Sequence, residues 1–235
     1  MVNQVIIDGT PLSNFGAVFT DSMSYSTPSP QFEKVEIDGR NGDLLIDRGR
    51  YSNYELKLNG VISNNFQANF LSMRAFLLSK NSYVRIEETE FPNHFRTGRL
   101  MGGIAPDTAG EHQIRTFTLS YWCKPQMWLK SGETVISKNS NFTLFNPTPY
   151  AAKPLIRVYG YGTLMVGSYS IVIASGATSY IDIDSEIMDC YEGATNRNNL
   201  VTMADGFPLL VGGSNSITLS GNITTVEVTP RWFTL

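Results

Sequence analysis

Hydrophobic and polar residues alternate along most of the chain, a pattern typical of strands that bury one face. The clearest example is 54–60, where Tyr54, Leu56 and Leu58 are predicted to face a core. Asp-Gly and Asn-Gly pairs, which tolerate positive φ, separate such runs and favour tight turns. In the first half of the chain, strands are predicted at 5–7, 15–20, 34–37, 44–46, 54–60, 83–87, 99–104 and 114–122.

One stretch follows a helical repeat instead, with apolar residues recurring at three- and four-residue steps. A side-chain oxygen of Asn64 or Asn65 can cap its start, and Asn81 can end it. The sequence therefore predicts one amphipathic helix packed against the strands. Its apolar stripe is Phe66, Phe70, Leu71, Met73, Phe76 and Leu77.

The segment 121–154 is predicted to join two modules, because prolines fix φ and remove hydrogen-bond donors from a strand. The strand before it is expected to end at Trp122, with Pro125 interrupting it. The predicted modules are 1–130, a β-sandwich with one packed α-helix and an arm or hairpin extension, and 131–235. The residues predicted to form the inter-domain joint are Cys123, Pro125, Pro147, Pro149 and Pro154.

The second module is predicted to be wholly β. Its short apolar runs are separated by turn signals at the regular spacing that is typical of a sandwich or jelly roll. Strands are predicted at 155–159, 164–166, 170–173, 180–183, 209–211, 217–219 and 224–229.

Composition narrows the classes of function. The chain has 235 residues, a hydrophobic content of 42% and a net charge of -3, which argues against a surface that binds nucleic acid through its phosphates. Cys123 and Cys190 are far apart and are expected to be free, buried thiols. The first residues lack the features of a signal peptide, and no run is apolar enough to insert in a membrane, so synthesis in a cytoplasm is expected.

Three acidic residues in the run YIDIDSE share one face of a predicted strand: Asp182, Asp184 and Glu186. Such a group can serve a glycosidase or bind calcium, but the favoured interpretation is a solvated strand edge. The histidines, His94 and His112, have no Cys or Asp at ligand spacing. We therefore expect no catalytic residues, no metal site and no cofactor.

Two other groups allow a structural or a binding interpretation. The run RNGDLLIDRGR is either a solvated hairpin or a subunit contact in which charges pair between neighbours. The residues of this candidate interface are Arg40, Asp43, Asp47, Arg48 and Arg50. Aromatic residues of the second module, above all Tyr159, Tyr161 and Trp232, either pack in the core or form a saccharide-binding face.

An ordered set of motifs covering essentially the whole chain resembles the siphophage distal tail (Dit) protein family. In the first module these are GRNGDLLIDRGRYSNYELKLNG, the helix and YWCKPQMW. In the second they are Phe145-Asn146-Pro147-Thr148, IDIDSEIMDCYEG, the turn from Phe207 to Gly212, and Pro230-Arg231-Trp232.

The resemblance implies a non-enzymatic virion protein of the tail tip. It implies a homo-hexameric ring that joins the major tail-tube protein to the tail-associated hub protein and leaves a channel for the genome. An arm, either SMSYSTPSPQF or the hairpin 38–50, would embrace the neighbouring subunit. The second module would be a galectin-like jelly roll that projects outward.

Receptor-binding or baseplate proteins are further expected partners. The genome is expected to pass without specific binding, since a mildly negative lumen would let DNA slide. The second module leaves little room for inserted receptor-binding domains. The alternative function is a carbohydrate-binding module that contributes to attachment to the host cell wall.

Overall fold

In the computed structural model, the chain divides into two compact units, Met1–Met127 together with Leu235, and Trp128–Thr234. The structure describes residues 3–19, 24–106, 115–176 and 179–235, with the backbone alone for Ser24 and Tyr25. His112, the last residue of the predicted strand 15–20, the first residue of the predicted strand 114–122 and the start of SMSYSTPSPQF lie outside the described residues.

The first unit is mainly β, and an α-helix lies between its seventh and eighth strands. Its elements are β1 (Val5–Ile7), β2 (Thr10–Pro11), a 3-10 helix (Leu12–Phe15), β3 (Ala17–Phe19), β4 (Ser24–Tyr25), β5 (Pro30–Val35), β6 (Leu44–Tyr51), β7 (Tyr54–Ile62), α1 (Phe66–Leu78), β8 (Val84–Glu88), β9 (His94–Leu100) and β10 (Arg115–Leu129).

One antiparallel sheet builds the core of the first unit. Its strand order is β2-β1-β8-β9-β10-β7-β3, and β4 also pairs with β7. A bridge joins Asn3, just before β1, to Phe19 in β3, so the sheet curls around its own core. Leu56 and Leu58 are fully buried in that core, and Tyr54 is buried beside them, as the alternation predicted.

The predicted helix is confirmed, but its ends and its width differ from the prediction. Residues Phe70, Met73 and Leu77 are buried, whereas Leu71 is 53% exposed, so the apolar stripe is narrower than predicted. Asn65 adopts φ 46° and its side chain makes no capping hydrogen bond. The helix ends at Leu78 rather than Asn81.

The prediction that Pro125 interrupts the strand is wrong, because β10 continues through it. The pairing of β10 with β7 ends where Cys123 lies opposite Tyr54. Beyond that point β7 offers no partner, so the missing N–H of proline removes no hydrogen bond from this ladder. The strand β10 therefore contains the change of unit between Met127 and Trp128.

The strand predicted at 99–104 is also misplaced, since β9 spans His94–Leu100. Gly98 interrupts the alternation that sequence reasoning depends on. A Cβ at this position would lie 2.8 Å from Cys123 Sγ and 2.9 Å from Ile86 Cδ1. Core packing thus excludes a side chain in the middle of this strand, and the sequence pattern loses its signal there.

The second unit is a β-sandwich. Its elements are β11 (Ile136–Lys138), β12 (Phe142–Asn146), β13 (Leu155–Tyr159), β14 (Gly162–Val166), β15 (Tyr169–Ile173), β16 (Ile181–Asp184), β17 (Asp189–Glu192), β18 (Thr195–Asn196), β19 (Val201–Met203), β20 (Gly213–Gly221), β21 (Thr225–Thr229) and β22 (Phe233–Thr234), with 3-10 helices at Lys130–Glu133 and Asn198–Leu200.

Two antiparallel sheets enclose the core of the second unit. One has the order β11-β21-β13-β16-β17-β18, and the other the order β12-β20-β14-β15-β19. Apolar residues from both sheets, such as Ile156, Leu164 and Val228, are fully buried in one cluster. The mainly β fold class with an α-helix is therefore confirmed.

The run 209–211, predicted as a strand, forms only an isolated bridge. Leu210 and Ala152 exchange two backbone hydrogen bonds of 2.9 Å. The Leu210 carbonyl also accepts a hydrogen bond from the side chain of Asn146 at 2.9 Å. A side chain therefore takes part in the pairing here, which a prediction from hydrophobic residues alone does not detect.

Candidate assembly interface

The hairpin β5–β6 is a separate sheet in the first unit. Among the described strands, β5 and β6 pair only with each other. The backbone N–H of Ser52 donates to the Ser29 carbonyl at 2.9 Å and closes the base of the hairpin. The predicted hairpin, with a return strand at 44–46, is confirmed, and both of its strands are longer than predicted.

A β-bulge bends the hairpin near its base. The register shifts between Gln31 and Phe32, which leaves Arg48 and Gly49 as extra residues on β6. Gly49 adopts φ 65°, a conformation that residues with a Cβ rarely adopt. Its N–H donates to Asp47 Oδ1 at 2.8 Å. The motif Asp-Arg-Gly therefore builds the bulge and sets the direction in which the hairpin projects.

The charged residues predicted to form a subunit contact lie at opposite ends of this hairpin. Near the base, Arg48 donates to Glu33 Oε2 at 2.7 Å, and Arg50 donates to Gln31 Oε1 at 2.7 Å. Both side chains of the Arg48–Glu33 pair are at least half exposed, so it contributes little to stability. The two residues that lie in the turn at the other end are Arg40 and Asp43.

The hairpin exposes large apolar side chains on both faces. Opposed residues of an antiparallel pair share a face, so the register places Phe32 with Leu45 on one face and Leu44 with Ile46 on the other. Isolated two-stranded hairpins are at best marginally stable in water, and exposed apolar surface marks interaction sites. The exposed side chains are Phe32 (45%), Ile37 (41%), Leu44 (39%), Leu45 (57%), Ile46 (47%) and Tyr51 (41%).

The acidic strand of the second unit is not a solvated edge, and that interpretation is wrong. The strand β16 lies between β13 and β17, and Asp182 and Asp184 are 3% and 5% exposed. Arg157 donates two hydrogen bonds to Asp182, at 2.8 and 2.9 Å. Arg231 donates two to Asp184, at 2.6 and 2.9 Å.

These contacts commit both carboxylates to structural roles. Burial raises the pKa of Asp184, but hydrogen bonds from Arg231 and from the backbone N–H of Glu186 and Ile187 outweigh it, so the net pKa is lowered. A carboxylate held in this way is a poor general acid. In the described part of the chain, no group of three or more His, Cys, Asp or Glu residues is placed to hold a metal ion.

The predicted saccharide face does not assemble. Trp232 is 5% exposed and belongs to the core of the second unit, so it is not available to stack on a sugar. Tyr159 packs against Tyr180 with ring centroids 6.1 Å apart. Tyr161 is 45% exposed, which makes it the most exposed of the three predicted aromatic residues.

The predicted joint residues lie in different places. Cys123 is buried in the core of the first unit, and Pro125 lies in β10 before the change of unit. Pro147, Pro149 and Pro154 belong to the second unit, well after Trp128. Both cysteines are free and buried as predicted, and burial raises the pKa of each thiol to about 12.

Sequence reasoning missed an uncharged surface on the second unit. The outward positions of β12, β20, β14, β15 and β19 carry hydroxyl and apolar side chains and no charge. The alternation of Ser and Thr in GSNSITLSG was the available signal. The residues of this surface, called the hydroxyl face below, are Thr143, Phe145, Thr163, Met165, Ser170, Val172, Thr202, Ser214, Ser216, Thr218 and Ser220.

The whole chain matches a solved phage protein. The SPP1 Dit protein, described as a paradigm of the hub adsorption apparatus in phages that infect Gram-positive bacteria, superposes with a TM-score of 0.71. The match covers 100% of both chains at 14% sequence identity. The fold is that of a distal tail protein, Dit. The predicted resemblance is thereby confirmed at the level of fold, and the Dit fold includes both units of this chain.

Further comparisons give weaker or no matches. Two structures of the phage p2 baseplate in its activated conformation, with strontium and with calcium, match with TM-scores of 0.49 and 0.48. The matched chains are 13% and 12% identical in sequence to this chain. Each match covers 97% of this chain and 98% of the baseplate chain. No family model and no curated protein matches the sequence. In the described residues, no helix has the length and apolarity to span a bilayer.

Proposed function

We propose that this protein is a structural, non-enzymatic component of the tail tip of a long-tailed phage. Six copies form a ring through their first units, and the ring joins the tail tube to the tail-tip hub protein. The genome passes through the central channel without specific binding. The observation that carries this proposal is the likeness to SPP1 Dit, which covers the full length of both chains.

The hairpin β5–β6 supplies the contact that such a ring needs. It exposes apolar side chains on both faces, and none of its residues belongs to the core of the first unit. A projecting element that binds a different surface on the next copy makes a head-to-tail contact, and contacts of this kind form a ring when the rotation between copies closes. The hairpin therefore serves as the arm between neighbouring subunits.

The partners and the place of the protein follow from this role. The major tail-tube protein binds one side of the ring, and the tail-associated hub protein binds the other. Receptor-binding or baseplate proteins attach at the periphery. The protein resides at the tail tip of the virion after synthesis in the host cytoplasm. The second units are the galectin-like modules of this assembly.

Negative-stain images and light scattering of the purified full chain test the proposal. We expect six-fold rings with a central channel, and a mass that approaches six copies as the concentration rises. The tail-tube and hub proteins of the same phage should bind opposite sides of the ring. A strict monomer at every concentration, with no ring in the presence of these partners, would contradict the proposal.

A second candidate function is saccharide binding by the hydroxyl face. Phe145 is 67% exposed on β12, next to a row of outward hydroxyls on β20. Neutral sugars bind by stacking on an aromatic ring and by hydrogen bonds to such hydroxyls. The hairpin favours the ring, but this surface gives the carbohydrate alternative a specific location.

Calorimetric titration of the full chain with host cell-wall polysaccharide tests this alternative. Phe145→Ala should weaken binding about tenfold, a typical loss when a stacked aromatic is removed. Val135→Ala, at a position that is 55% exposed outside the hydroxyl face, serves as the control. Equal binding by both variants, or no binding by the parent chain, would exclude the hydroxyl face as a saccharide site.

A further inference from the structure

The first unit carries an exposed cleft of about 350 Å³, lined by aromatic, apolar and basic side chains. Trp122 is 41% exposed on β10, between the buried residues Tyr121 and Cys123, so it lies on the outer side of the curled sheet. The residues that line the cleft, called the receptor cleft below, are Tyr83, Arg99, Leu100, Met101 and Trp122.

Contacts at the rim hold the receptor cleft in a fixed arrangement. The Tyr83 hydroxyl accepts a hydrogen bond from Asn53 Nδ2 at 2.9 Å. The Met101 N–H donates to the Ser120 carbonyl at 2.7 Å. Lys124 Nζ lies 5.3 Å from the centre of the Tyr83 ring. The cleft is therefore preorganised, and it combines an aromatic floor with a cationic rim.

No described carboxylate pairs with the positive charge of this surface. Arg99 and Lys124 are both exposed, and among the described residues neither cation forms an ion pair. The apolar part is uncovered as well, since Met101 is 48% exposed and Tyr83 43%. Such a surface fits a partner segment that is apolar along its length and acidic at its end.

The end of the hairpin β5–β6 has this composition. Its turn carries three carboxylates, Glu36, Asp38 and Asp43, against the single guanidinium of Arg40. All four side chains are exposed, and no ion pair within the described part of the chain involves them. Leu45, 57% exposed, lies two residues after Asp43. The acidic turn thus adjoins apolar side chains that need a cover.

We propose that the receptor cleft binds the acidic end of the hairpin β5–β6 from a neighbouring copy of the chain. This inference rests on the proposed ring and adds the surface that receives the arm. The apolar side chains of the hairpin cover Trp122 and Met101, while its carboxylates reach Arg99 and Lys124. Asn53 follows the base of the hairpin and donates a hydrogen bond to Tyr83 of the cleft. In this arrangement, the end of each arm therefore lies beside the base of the receiving copy's own arm.

Disulfide cross-linking between two full-length variants tests this assignment. One variant carries Asn41→Cys in the turn, and the other carries Met101→Cys in the receptor cleft and an affinity tag. Neither substitution alters a charge, and the native cysteines are buried, so they do not compete. The mixed sample is oxidised at a concentration that forms rings, and the tagged heterodimer is measured on a non-reducing gel.

A matched control pairs Asn41→Cys with tagged Thr218→Cys, an exposed position on the hydroxyl face. We expect the heterodimer with Met101→Cys to exceed the control at least about tenfold, as a contact with a fixed geometry would give. Arg99→Glu combined with Lys124→Glu in the tagged chain should lower the yield about tenfold through like-charge repulsion. Asp38→Lys combined with Asp43→Lys in the Asn41→Cys chain should restore it.

The outcomes separate this inference from the ring itself. Rings without cross-linking above the control overturn the receptor cleft and leave the ring standing. A charge reversal that changes nothing also overturns it, because the proposed contact depends on the cationic rim. Absence of both rings and cross-linking contradicts both proposals. Preferential cross-linking that the reversed charges abolish and the swapped charges restore supports the cleft as the receiving surface.

Discussion

Two hairpins of this protein have similar sequences and opposite environments. In the first unit, the run LLIDRGRY forms β6 of the arm, whose residues are all exposed. In the second unit, the run IDID forms β16, whose residues are all buried. Both runs mix apolar residues with Asp, and an arginine ion pair forms at each: Arg48 with Glu33 in the first, and Arg157 with Asp182 in the second. The position of a strand within its sheet, rather than its composition, decided which one became a core and which a surface.

Because their environments differ, arginine–carboxylate pairs have different roles in the two regions. In the arm, the Arg48–Glu33 pair lies in water and leaves the apolar residues uncovered, which suits an element that binds a partner. In the second unit, arginines saturate two buried carboxylates and fix the packing of the sheet. Changes in the arm should therefore affect assembly, whereas changes at β16 should affect folding.

The largest effect is expected from removing the arm. Replacing residues 30–51 with a short Gly-Ser linker between Ser29 and Ser52 should abolish ring formation. The thermal unfolding midpoint of the isolated chain should stay almost unchanged, because no residue of the arm belongs to the core. Light scattering and circular dichroism measure the two properties. Rings that persist without the arm would contradict its role in assembly, and a chain that no longer folds would show that the arm is needed for folding.

The next largest effect is expected from Asp184→Ala. The substitution leaves Arg231 without the carboxylate that now accepts two of its hydrogen bonds. We expect a loss of about 2–4 kcal/mol in the free energy of unfolding, below the range for a fully enclosed pair because Arg231 retains some solvent contact. Urea denaturation measures the loss. A change within the error of the measurement would show that burial at β16 does not constrain this pair.

A smaller effect is expected from acid. Because the folded-state pKa of Asp184 is lowered, its ionised form contributes stability above the ordinary aspartate pKa of about 3.9, and this contribution is lost as the pH falls through the folded-state value. The free energy of unfolding should therefore decline below about pH 4. Asp184→Asn should decline less steeply over the same range, and identical slopes would exclude this residue as a source of the dependence.

The smallest effect is expected from Glu33→Ala in the arm. Its ion pair with Arg48 is solvated, so the free energy of unfolding should change by less than about 0.5 kcal/mol. Urea denaturation under the conditions used for Asp184→Ala gives the direct contrast. A loss as large as that of Asp184→Ala would mean that the arm is part of the folding unit, and the distinction between the two hairpins would fail.

Much of the local structure could be predicted, and particular residues show where prediction stopped. The strand with Tyr54, Leu56 and Leu58 and the helix face with Phe70, Met73 and Leu77 were readable because a repeat of apolar residues reports burial directly. The course of β9 and β10 was not, since Gly98 and Pro125 are local breakers whose cost depends on neighbouring strands.

The candidate site divides in the same way. The charge run 40–50 and its turn pairs were enough to predict a hairpin and to name its charged residues. The receptor cleft was beyond prediction, because Tyr83, Arg99 and Trp122 are far apart in the chain and meet only where β8, β9 and β10 lie side by side. The fate of Trp232, an aromatic buried in the second core, likewise depends on partners distant in sequence.

By itself the sequence determined the fold class, the hairpin, the helix and the free thiols, because each follows from nearby residues through periodicity, turn chemistry or cysteine spacing. Only the tertiary structure decided which carboxylate–arginine pairs have a buried carboxylate and which are solvated, and which apolar side chains stay exposed. Those outcomes depend on strand order and register. A shift of one residue in register moves every side chain of a strand to its other face.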